Sequence, residues 1–473
     1  MGPTTMSPIR LNSGPPWHIS TTVEQVGCDY ICHLHGGVRH IGAVALSQWN
    51  NGRPNTRILT VSSHKEGGLA LHSAHTLCKA SRRSVACIAG LHYDAVTSKQ
   101  IAQILETAAI LIKLAAEQLA NLRFRQGLHA PFGLYTRVTS NLGVILHEID
   151  LFMDMPLGEI AGQWPVGEAS ASDLRHGVCL FAPIYLSNAC SNDCAYCGFR
   201  RSVHFKRAKL RVDQALEEAR HLVGQGHRTI DLVTGEIPTD RFVDYVCVVI
   251  EQILATTGIR RINLNLGALS QEQYRRLRGS GATGYHLYQE TYHPDAYFKV
   301  HRSGLKRDMV YRMEAPHRAV EAGFKFIGLG LLVGLRPLRD DLVRLIRHGQ
   351  ILKNDYPDVR LGFSLPRIQK VDEACDYVAA APVSDNHFIK AMLFLKLKFP
   401  TAHLTLTTRE RPEIRDMLIP LGVTKVSAGV STRPGGYAHD DKDGKAQFSI
   451  SDRRSLAEIV DMIHHAGLTV VFE

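Results

Sequence analysis

Several features of membrane, secreted and nucleic-acid-binding proteins are missing from this sequence. No apolar run is long enough to cross a bilayer, because the nearest candidate, residues 103–119, is interrupted by Glu106, Lys113 and Glu117. There is no charged and then apolar leader with a cleavage site, so we do not expect export. The net charge is +10, but Lys and Arg are spread along the chain without a long run. This distribution favours an acidic small substrate or a solvated basic surface over nucleic acid.

A disulfide framework is not expected either. The ten cysteines are spread over 473 residues, and in the absence of a leader this pattern indicates a reducing cytoplasm. Clustered cysteines in that compartment indicate metal binding or catalysis. Three of them, Cys190, Cys194 and Cys197, form the segment CSNDCAYC, and no fourth cysteine lies nearby.

Three thiolates suit a particular kind of metal site. They can hold three irons of a cubane [4Fe–4S] cluster and leave the fourth iron open to a small molecule, whereas electron-transfer clusters usually have every iron capped by protein. Zinc with His204 as a further ligand is the alternative, but no second Cys-x-x-Cys or His pair is found after it. Simple core packing is a poor explanation because Asn188, Asn192 and Asp193 make this loop polar.

Four regions are predicted along the chain. Residues 1–16 are expected to be a flexible tail, 17–126 a small α+β domain, 127–178 a linker that packs on the barrel, and 179–473 an α/β barrel. From residue 179 onward, eight strands alternate with helices, which predicts a (β/α)₈ TIM-like barrel, with a doubly wound open sheet as the competing fold. The strands are predicted at 179–187, 229–236, 262–267, 284–291, 326–335, 360–366, 404–409 and 425–431.

Polar side chains gather at the predicted strand ends. In a parallel barrel these ends form one mouth, where chemistry takes place. We therefore expect side chains that are far apart in sequence to share one site. The residues at these ends include Thr234, Gly235, Glu236, Glu290, Arg367, Thr407, Thr408 and Ser427.

The cysteine spacing C-x₃-C-x₂-C, with Tyr196 before the last cysteine, resembles that of the radical S-adenosylmethionine superfamily. The resemblance implies that Cys190, Cys194 and Cys197 hold a [4Fe–4S] cluster whose open iron is chelated by S-adenosylmethionine. One electron then breaks the sulfonium bond and yields a 5′-deoxyadenosyl radical. Tyr196 is expected beside the cofactor.

Further positions match that superfamily. The segment Thr234-Gly235-Glu236 stands where a GGE-like motif receives the amino group of the cofactor. Glu290 is expected to hold the ribose hydroxyls, and Arg312 is expected to pair with the cofactor carboxylate, which suits a guanidinium. Glycines allow the backbone to approach the adenine side closely. These glycines are Gly328, Gly330 and Gly334.

Longer segments resemble the aromatic amino-acid lyases, and above all the tyrosine lyase family of thiamine biosynthesis. Examples are LTLTTRERPEIRD (404–416) and VSAGVSTRPGGYAHD (426–440). The resemblance implies removal of hydrogen from the substrate amino group and scission of Cα–Cβ, which converts L-tyrosine to 2-iminoacetate and p-cresol. A tryptophan lyase, another radical reaction such as a carbon–carbon rearrangement, and a non-enzymatic iron–sulfur or flavin chaperone remain as alternatives.

A substrate site and partners are implied by this resemblance. Arg367 is expected to bind the substrate carboxylate, because its fork gives direction as well as charge. Ser364, Thr407, Thr408 and Ser427 are expected as neutral hydrogen-bond partners. The expected partners are a flavodoxin or ferredoxin type electron donor and a protein acceptor of the product.

The first domain has a different resemblance. Segments such as HLHGGVRHIGAVALSQW (33–49) are similar to a prenylated-flavin chaperone family, the small accessory proteins of gallate-type decarboxylases. Gly36-Gly37, His40, His64, Lys65 and His92 are expected at strand ends, where they can line an anion-binding crevice. Binding of a flavin-like ligand, presentation of a partner and dimerisation remain as alternative roles for this domain.

Overall fold

The computed structural model divides the chain into two compact units, Met1–Gly133 and Leu134–Glu473, and each is described by itself. Among the described residues, none of the helices combines the length and apolar character needed to cross a membrane. The structure describes residues 8–27, 29–38, 40–50, 53–61, 66–81, 83–129, 133–163, 177–369, 377–438 and 446–471.

The first unit contains a six-stranded sheet in the order β1-β2-β3-β6-β4-β5. Strands β3 and β6 pair in parallel, and the other neighbours are antiparallel. The strands are β1 Ile9–Asn12, β2 Ser20–Val26, β3 Asp29–Gly37, β4 Ala43–Asn50, β5 Arg53–Thr60 and β6 Val85–His92. The helices are α1 Gly67–Ser81 and α2 Ser98–His129.

One face of this sheet packs against the helices. Alternate residues of β3, Tyr30, Cys32 and Leu34, are buried, as the twofold period of a strand requires. They share one apolar core with Leu77 of α1 and Ile112 of α2. Two helices on one face of a mostly antiparallel sheet give the α+β domain expected from the sequence.

The structure corrects the predicted flexible tail, residues 1–16. Ile9–Asn12 form an edge strand paired with Ser20–Val26, because Ile9 buries its side chain in the core. Residues 1–7 lie outside the described part of the chain.

The structure also corrects the predicted boundary and linker at 127–178. Helix α2 runs on to His129, and the second unit begins at Leu134. Part of the linker is helical and packs on the barrel, where Arg137 donates to both carboxylate oxygens of Asp355 at 2.8 and 2.7 Å. These helices are α3 Leu134–Thr139, α4 Gly143–Asp154 and α5 Leu157–Gln163. Residues 164–176 are outside the described ranges.

The second unit is a closed parallel barrel, as predicted. Its eight strands follow one another in chain order, and β14 closes on β7 through the pairs Lys425↔Cys179, Val426↔Leu180 and Ser427↔Phe181. This closure excludes the open-sheet alternative. The strands are β7 Val178–Ser187, β8 Thr229–Thr234, β9 Arg261–Asn265, β10 Gly284–Glu290, β11 Phe326–Leu331, β12 Arg360–Ser364, β13 His403–Leu406 and β14 Lys425–Ser427. A short strand, β15 Val470–Val471, pairs with the start of β7.

Helices alternate with the barrel strands and begin at the residues that the sequence favours for capping. The hydroxyl groups of Ser270 and Ser455 each accept a hydrogen bond from a backbone N–H of the first helical turn. In return, the side chains of Gln273 and Glu458 accept from the backbone N–H groups of Ser270 and Ser455. The barrel helices are α6 Val212–Gln225, α7 Asp240–Thr256, α8 Gln271–Gly279, α9 Pro294–Val300, α10 Met309–Glu321, α11 Leu338–Asp355, α12 Asp385–Lys398, α13 Pro412–Leu418 and α14 Leu456–His465.

The barrel is expected to fold without the first unit, because each unit has a core of its own. A chain that begins at Leu134 should remain soluble, keep its helical circular dichroism and assemble the iron–sulfur cluster. Iron analysis and absorbance spectra of the shortened protein check this expectation. A folded shortened protein that holds no iron would show that residues 1–133 contribute to the cluster site.

Candidate active site

The three cysteines lie on the loop after β7 and line one cavity at the carboxyl ends of the barrel strands. Arg207 organises this loop by donating to the carbonyl oxygens of Asn188 and Phe199, both at 2.8 Å. The Asn188 side chain accepts from the backbone N–H of Ala208 at 2.7 Å, which fixes the start of the loop. The loop is therefore held by specific polar contacts that the sequence pattern does not reveal.

Asn192 connects the cysteine loop to two other segments of the mouth. Its Nδ2 donates to Glu236 Oε2 at 2.9 Å, and its Oδ1 accepts from the backbone N–H of Lys306 at 3.0 Å. Gly304 has φ of +90°, and a Cβ there would stand 2.1 Å from Asn192 Oδ1. Only glycine permits this close approach.

The donor set at this site fits an iron–sulfur cluster. Burial raises the pKa of Cys190 to about 11 and also raises the pKa values of Cys194 and Cys197. Buried thiolates need a compensating positive charge, which a bound metal centre supplies. In the described ranges no three Cys, His, Asp or Glu side chains are grouped closely enough to bind one metal ion, and His204 is exposed. This arrangement disfavours zinc, whereas each thiolate of a cubane binds a different iron.

The predicted cofactor residues come together as a buried charge network. Arg312 Nη1 lies 2.6 Å from Glu236 Oε1, and Lys306 Nζ lies 2.6 Å from Glu290 Oε1. Arg312 Nη2 is 3.6 Å from the same oxygen of Glu290. Burial alone would raise the pKa of Glu236, but Arg312 and Lys306 hold it below its ordinary value. The network therefore presents the ionised carboxylate of Glu236 beside the cysteines.

Glu290 owes its position to a strained turn. Its φ is +72°, an uncommon value for a residue with a side chain, and the pairing of β10 with β11 shifts register at this point. Buried Asp341 stabilises the turn by accepting from the backbone N–H of Tyr292 at 2.7 Å and from the Thr291 hydroxyl at 3.0 Å. The turn directs Glu290 into the cavity wall.

Thr234, Gly235 and Tyr196 also line the cavity. A Cβ at Gly235 would stand 2.1 Å from the Ala189 carbonyl oxygen, so a glycine is needed where β8 meets the cysteine loop. The Tyr196 hydroxyl is 2.8 Å from His301 Nε2. Burial lowers the pKa of His301 well below its ordinary value, so the imidazole is neutral.

The predicted hydrogen-bond partners of the substrate are only partly in place. Thr407, Thr408 and Ser427 line the cavity, and Ser427 Oγ accepts from the backbone N–H of Thr408 at 3.2 Å. Ser364 is not part of the wall, because its hydroxyl donates to the Thr405 carbonyl oxygen at 3.3 Å within the sheet.

The predicted role of Arg367 is not supported by its position. Its Nε donates to Glu410 Oε2 at 2.9 Å, a further contact joins Nη2 to the same oxygen, and Nη1 donates to Asp385 at 2.7 Å. The side chain is absent from the cavity wall, although Pro366 and Ile368 on either side line it. Arg367 therefore forms ion pairs outside the cavity wall, in contrast to Arg312, which lines it.

Arg409 lies in the cavity wall instead. Its guanidinium stacks on Phe448, 3.5 Å from the ring centroid. Within the described part of the chain, no carboxylate pairs with it. Sequence patterns did not distinguish it from Arg367, since both follow strand ends; only their different partners separate them.

The aromatic wall of the cavity had no signal in the sequence. Phe181, Tyr185, Tyr288 and Phe448 line it. The Tyr185 hydroxyl donates to Gln447 Oε1 at 2.8 Å. In the sequence Tyr185 and Tyr288 are ordinary strand residues, and Phe448 lies far along the chain from both, so no local pattern connects them.

In the first unit, some predicted crevice residues meet. The His40 and His92 rings pack edge to face with centroids 5.7 Å apart, and His40 Nε2 is 3.2 Å from Glu66 Oε1. A Cβ at Gly37 would stand 1.8 Å from the His92 carbonyl oxygen. His64 and Lys65 lie outside the described residues.

This barrel and its cysteine-lined mouth define a radical S-adenosylmethionine enzyme. Residues 184–348 match the model of the radical SAM superfamily, and 364–469 match that of the biotin and thiamin synthesis associated domain. More narrowly, the chain belongs to the 2-iminoacetate synthase family. It is 35% identical over 301 residues to 2-iminoacetate synthase of Salmonella typhimurium, covering 63% of this chain and 78% of that protein.

Solved structures agree with this assignment for the barrel, whereas the first unit matches a different family. The FeFe-hydrogenase maturase HydG from Carboxydothermus hydrogenoformans is similar with a TM-score of 0.60 and 32% identity, over 72% of this chain and 82% of that chain. Methylornithine synthase, at 19% identity and a TM-score of 0.54, shares the fold. Residues 13–120 match the model of the prenylated flavin chaperone LpdD-like domain.

The cysteine assignment predicts the iron content of the protein. Anaerobically reconstituted protein should hold about four irons in the barrel site, and Cys194→Ala should lose the cluster absorbance and form no 5′-deoxyadenosine. Cys179→Ala is the matched control, because Cys179 lies at the opposite ends of the strands. A single tightly held zinc, without iron-dependent absorbance, would contradict the assignment.

Proposed function

We propose that this chain is a tyrosine lyase that cleaves the Cα–Cβ bond of L-tyrosine to 2-iminoacetate and p-cresol. The observation that carries the proposal is a single cavity in which the three cysteines and the charge network adjoin an aromatic wall with Arg409. The similarity to 2-iminoacetate synthases supports the same reaction.

The residues present fit a [4Fe–4S] cluster and S-adenosylmethionine. When bound, these groups supply one-electron cleavage of the sulfonium and a 5′-deoxyadenosyl radical that removes hydrogen from the substrate amino group. Cys190, Cys194 and Cys197 would hold the cluster. Glu236 would accept from the cofactor amino group, Glu290 from its ribose hydroxyls, and Arg312 would donate to its carboxylate. Since all three are already fixed by mutual ion pairs, little reorganisation accompanies binding.

We assign binding of the substrate carboxylate to Arg409. Burial lowers the pKa of its guanidinium, although Tyr185 and Glu290 nearby oppose this effect. A buried cation is favourable only when an anion and hydrogen bonds compensate its desolvation. The substrate carboxylate supplies both, and a guanidinium binds it with two parallel bonds. Phe448 fixes the plane of this fork by stacking on it.

The aromatic wall, together with the segment that contains Gln447 and Phe448, suits the ring of the substrate. Gln447 donates its backbone N–H to the Thr432 carbonyl oxygen at 3.0 Å, and the Thr432 hydroxyl donates to the Phe448 carbonyl oxygen at 3.1 Å. These bonds hold Gln447 and Phe448 over the cavity. A rigid site of this kind keeps the amino group near the radical and limits side reactions.

The partners of the reaction are part of the same proposal. Cleavage of the sulfonium requires a low-potential electron, which a flavodoxin or ferredoxin type donor supplies. The imine product hydrolyses readily in water, which favours transfer to a protein acceptor. The free cysteines of the described residues fit a reducing cytoplasm.

For the first unit we propose a flavin-like ligand near His40 and His92. The match to the LpdD-like domain supports this assignment. Titration of the protein with flavin mononucleotide and its prenylated form, followed by fluorescence, tests it. His92→Ala should weaken binding, whereas unchanged affinity would exclude this crevice.

The reaction itself is tested by product analysis. Reconstituted protein incubated without oxygen with S-adenosylmethionine, dithionite and L-tyrosine should form 5′-deoxyadenosine, p-cresol and glyoxylate, the hydrolysis product of 2-iminoacetate. Mass spectrometry identifies each product. Tryptophan and other aromatic amino acids serve as parallel substrates. Formation of 3-methylindole from tryptophan, with no p-cresol from tyrosine, would favour a tryptophan lyase instead.

The two arginines are expected to respond differently to substitution. Removing one partner of a desolvated charge pair typically costs about 2–5 kcal/mol, so Arg409→Ala should raise the KM for tyrosine by about 30-fold or more. Slow uncoupled formation of 5′-deoxyadenosine should persist, because the cofactor contacts are intact. Arg409→Lys should restore activity only partly, since an ammonium lacks the fork.

Arg367→Ala is the matched control for Arg409→Ala. It should lower the melting temperature, because Glu410 loses its partner, while leaving the KM for tyrosine close to that of the unaltered protein. If only Arg367→Ala changes the KM for tyrosine, binding of the substrate carboxylate would be assigned to Arg367.

A further inference from the structure

The floor of the cavity contains a charged cluster that the proposed chemistry does not use. Asp231 of β8 and His286 of β10 line the cavity from below. Lys425 of β14 lies beneath them and lines the cavity at the opposite mouth instead. Lys425 Nζ is 3.1 Å from Asp231 Oδ1 and 3.3 Å from His286 Nε2. All three side chains are buried.

The hydrogen bonds of this cluster leave one oxygen of Asp231, a residue of the cavity wall, without a short contact. Asp231 Oδ1 accepts from Asn263 Nδ2 at 2.9 Å as well as from Lys425. The second oxygen, Oδ2, has only longer contacts, 3.4 Å to Lys425 Nζ and 3.7 Å to His286 Nε2. A carboxylate offers about four acceptor positions on its two oxygens. Asp231 therefore has unused acceptor capacity, while His286 Nε2 already faces Lys425.

His286 does not compete with Asp231 as a charged group at the floor of the cavity. Its ring packs directly against Gly328 of the next strand, where a Cβ would stand only 1.9 Å from His286 Nδ1. Burial and the charge of Lys425 lower the pKa of His286 to about 4, so the ring is neutral. Burial would raise the pKa of Asp231, but the charge of Lys425 and the hydrogen bond from Asn263 outweigh it and hold the pKa below its ordinary value. Asp231 is therefore an ionised acceptor without a proton to donate.

The depth of Asp231 matches the far end of an aromatic substrate. It lies three residues before Thr234, which ends the strand at the mouth, and this spacing corresponds to about 10 Å along a strand. Arg409 lies beyond the end of β13, at the mouth. An amino acid held there by its carboxylate directs its ring past Tyr185 and Tyr288 towards the floor.

We propose that Asp231 accepts a hydrogen bond from the ring hydroxyl of the substrate, so that the enzyme selects an aromatic amino acid with a donor at the far end of its ring. This inference rests on the proposed function and names the residue that determines its substrate. Lys425 positions the carboxylate from below. Phenylalanine leaves Asp231 without this partner in a desolvated site.

Physical chemistry sets the size of the expected selection. A site built to bind a substrate hydroxyl rejects the analogue without it by roughly 10⁴-fold or more in kcat/KM, because the buried polar group is then unpaired. Tryptophan carries its N–H at the side of a wider ring. It therefore cannot place the donor where the tyrosine hydroxyl stands without displacing the wall.

The test compares two variants of the complete protein. Asp231→Leu together with Lys425→Met replaces the buried ion pair by apolar side chains of similar volume, an exchange that proteins often tolerate. Cys179→Ala, next to Lys425 in the sheet, keeps the ion pair and serves as the control. Iron content, affinity for S-adenosylmethionine and melting temperature establish that each variant is folded and loaded.

Binding is measured by calorimetry on unreduced protein with S-adenosylmethionine, using tyrosine, phenylalanine and tryptophan. The unaltered protein and Cys179→Ala should prefer tyrosine to phenylalanine by at least about 100-fold, which is a smaller ratio than in kcat/KM because only ground-state binding is compared. The double variant should bind both within about tenfold. Its kcat/KM ratio should fall in parallel where cleavage is observed.

The possible results separate the role of Asp231 from the proposed lyase reaction. A folded double variant that retains the preference for tyrosine overturns the role of Asp231, even if p-cresol is formed. Equal affinity of the unaltered protein for tyrosine and phenylalanine also overturns it. Strong preference for tyrosine without p-cresol supports Asp231 as the selecting residue and instead refutes the lyase reaction. If the double variant is unfolded, the unaltered protein provides the comparison with 4-methylphenylalanine, whose methyl group replaces the hydroxyl, and affinity equal to that for tyrosine would overturn the inference.

Discussion

The two hydrogen bonds of the Asn192 side chain hold the mouth of this barrel together. They connect the cysteine loop to Glu236 at the end of β8 and to the backbone of Lys306 after β10. Lys306 and Arg312 then fix Glu290 and Glu236 by ion pairs. Because each group is buried, an unpaired member would be costly. The three cysteines and the charged residues beside them are therefore positioned as one unit.

Different barrel strands supply the charged groups on the two sides of the cavity. Charged groups for the cofactor lie on the side of β7 to β10, and Arg409 lies across the mouth after β13. Aromatic side chains separate them and exclude water, which strengthens each charge interaction. Below, Asp231 and Lys425 form a second charged layer inside the barrel. The cavity is thus bounded by charge at both ends and by rings along its sides.

Two arginines show where sequence reasoning reached its limit. Arg367 and Arg409 both follow strands that end at the mouth, and spacing alone makes each a candidate partner for an anion. Only the folded chain shows that Glu410 and Asp385 satisfy Arg367, whereas Arg409 faces the cavity with Phe448 behind it. Side-chain partners come from loops that are distant in sequence, and no local pattern encodes which carboxylate meets which guanidinium.

The sequence by itself determined the barrel, the cysteine motif and the positions of Glu236, Glu290 and Arg312. Strand and helix periodicity and a three-cysteine loop are local features, and parallel strands bring their ends together whatever the loops contain. The tertiary structure alone decided the substrate side of the cavity. The pairing of Asp231 with Lys425 across the barrel, and the open side of that carboxylate, depend on packing between β8 and β14, which lie almost two hundred residues apart.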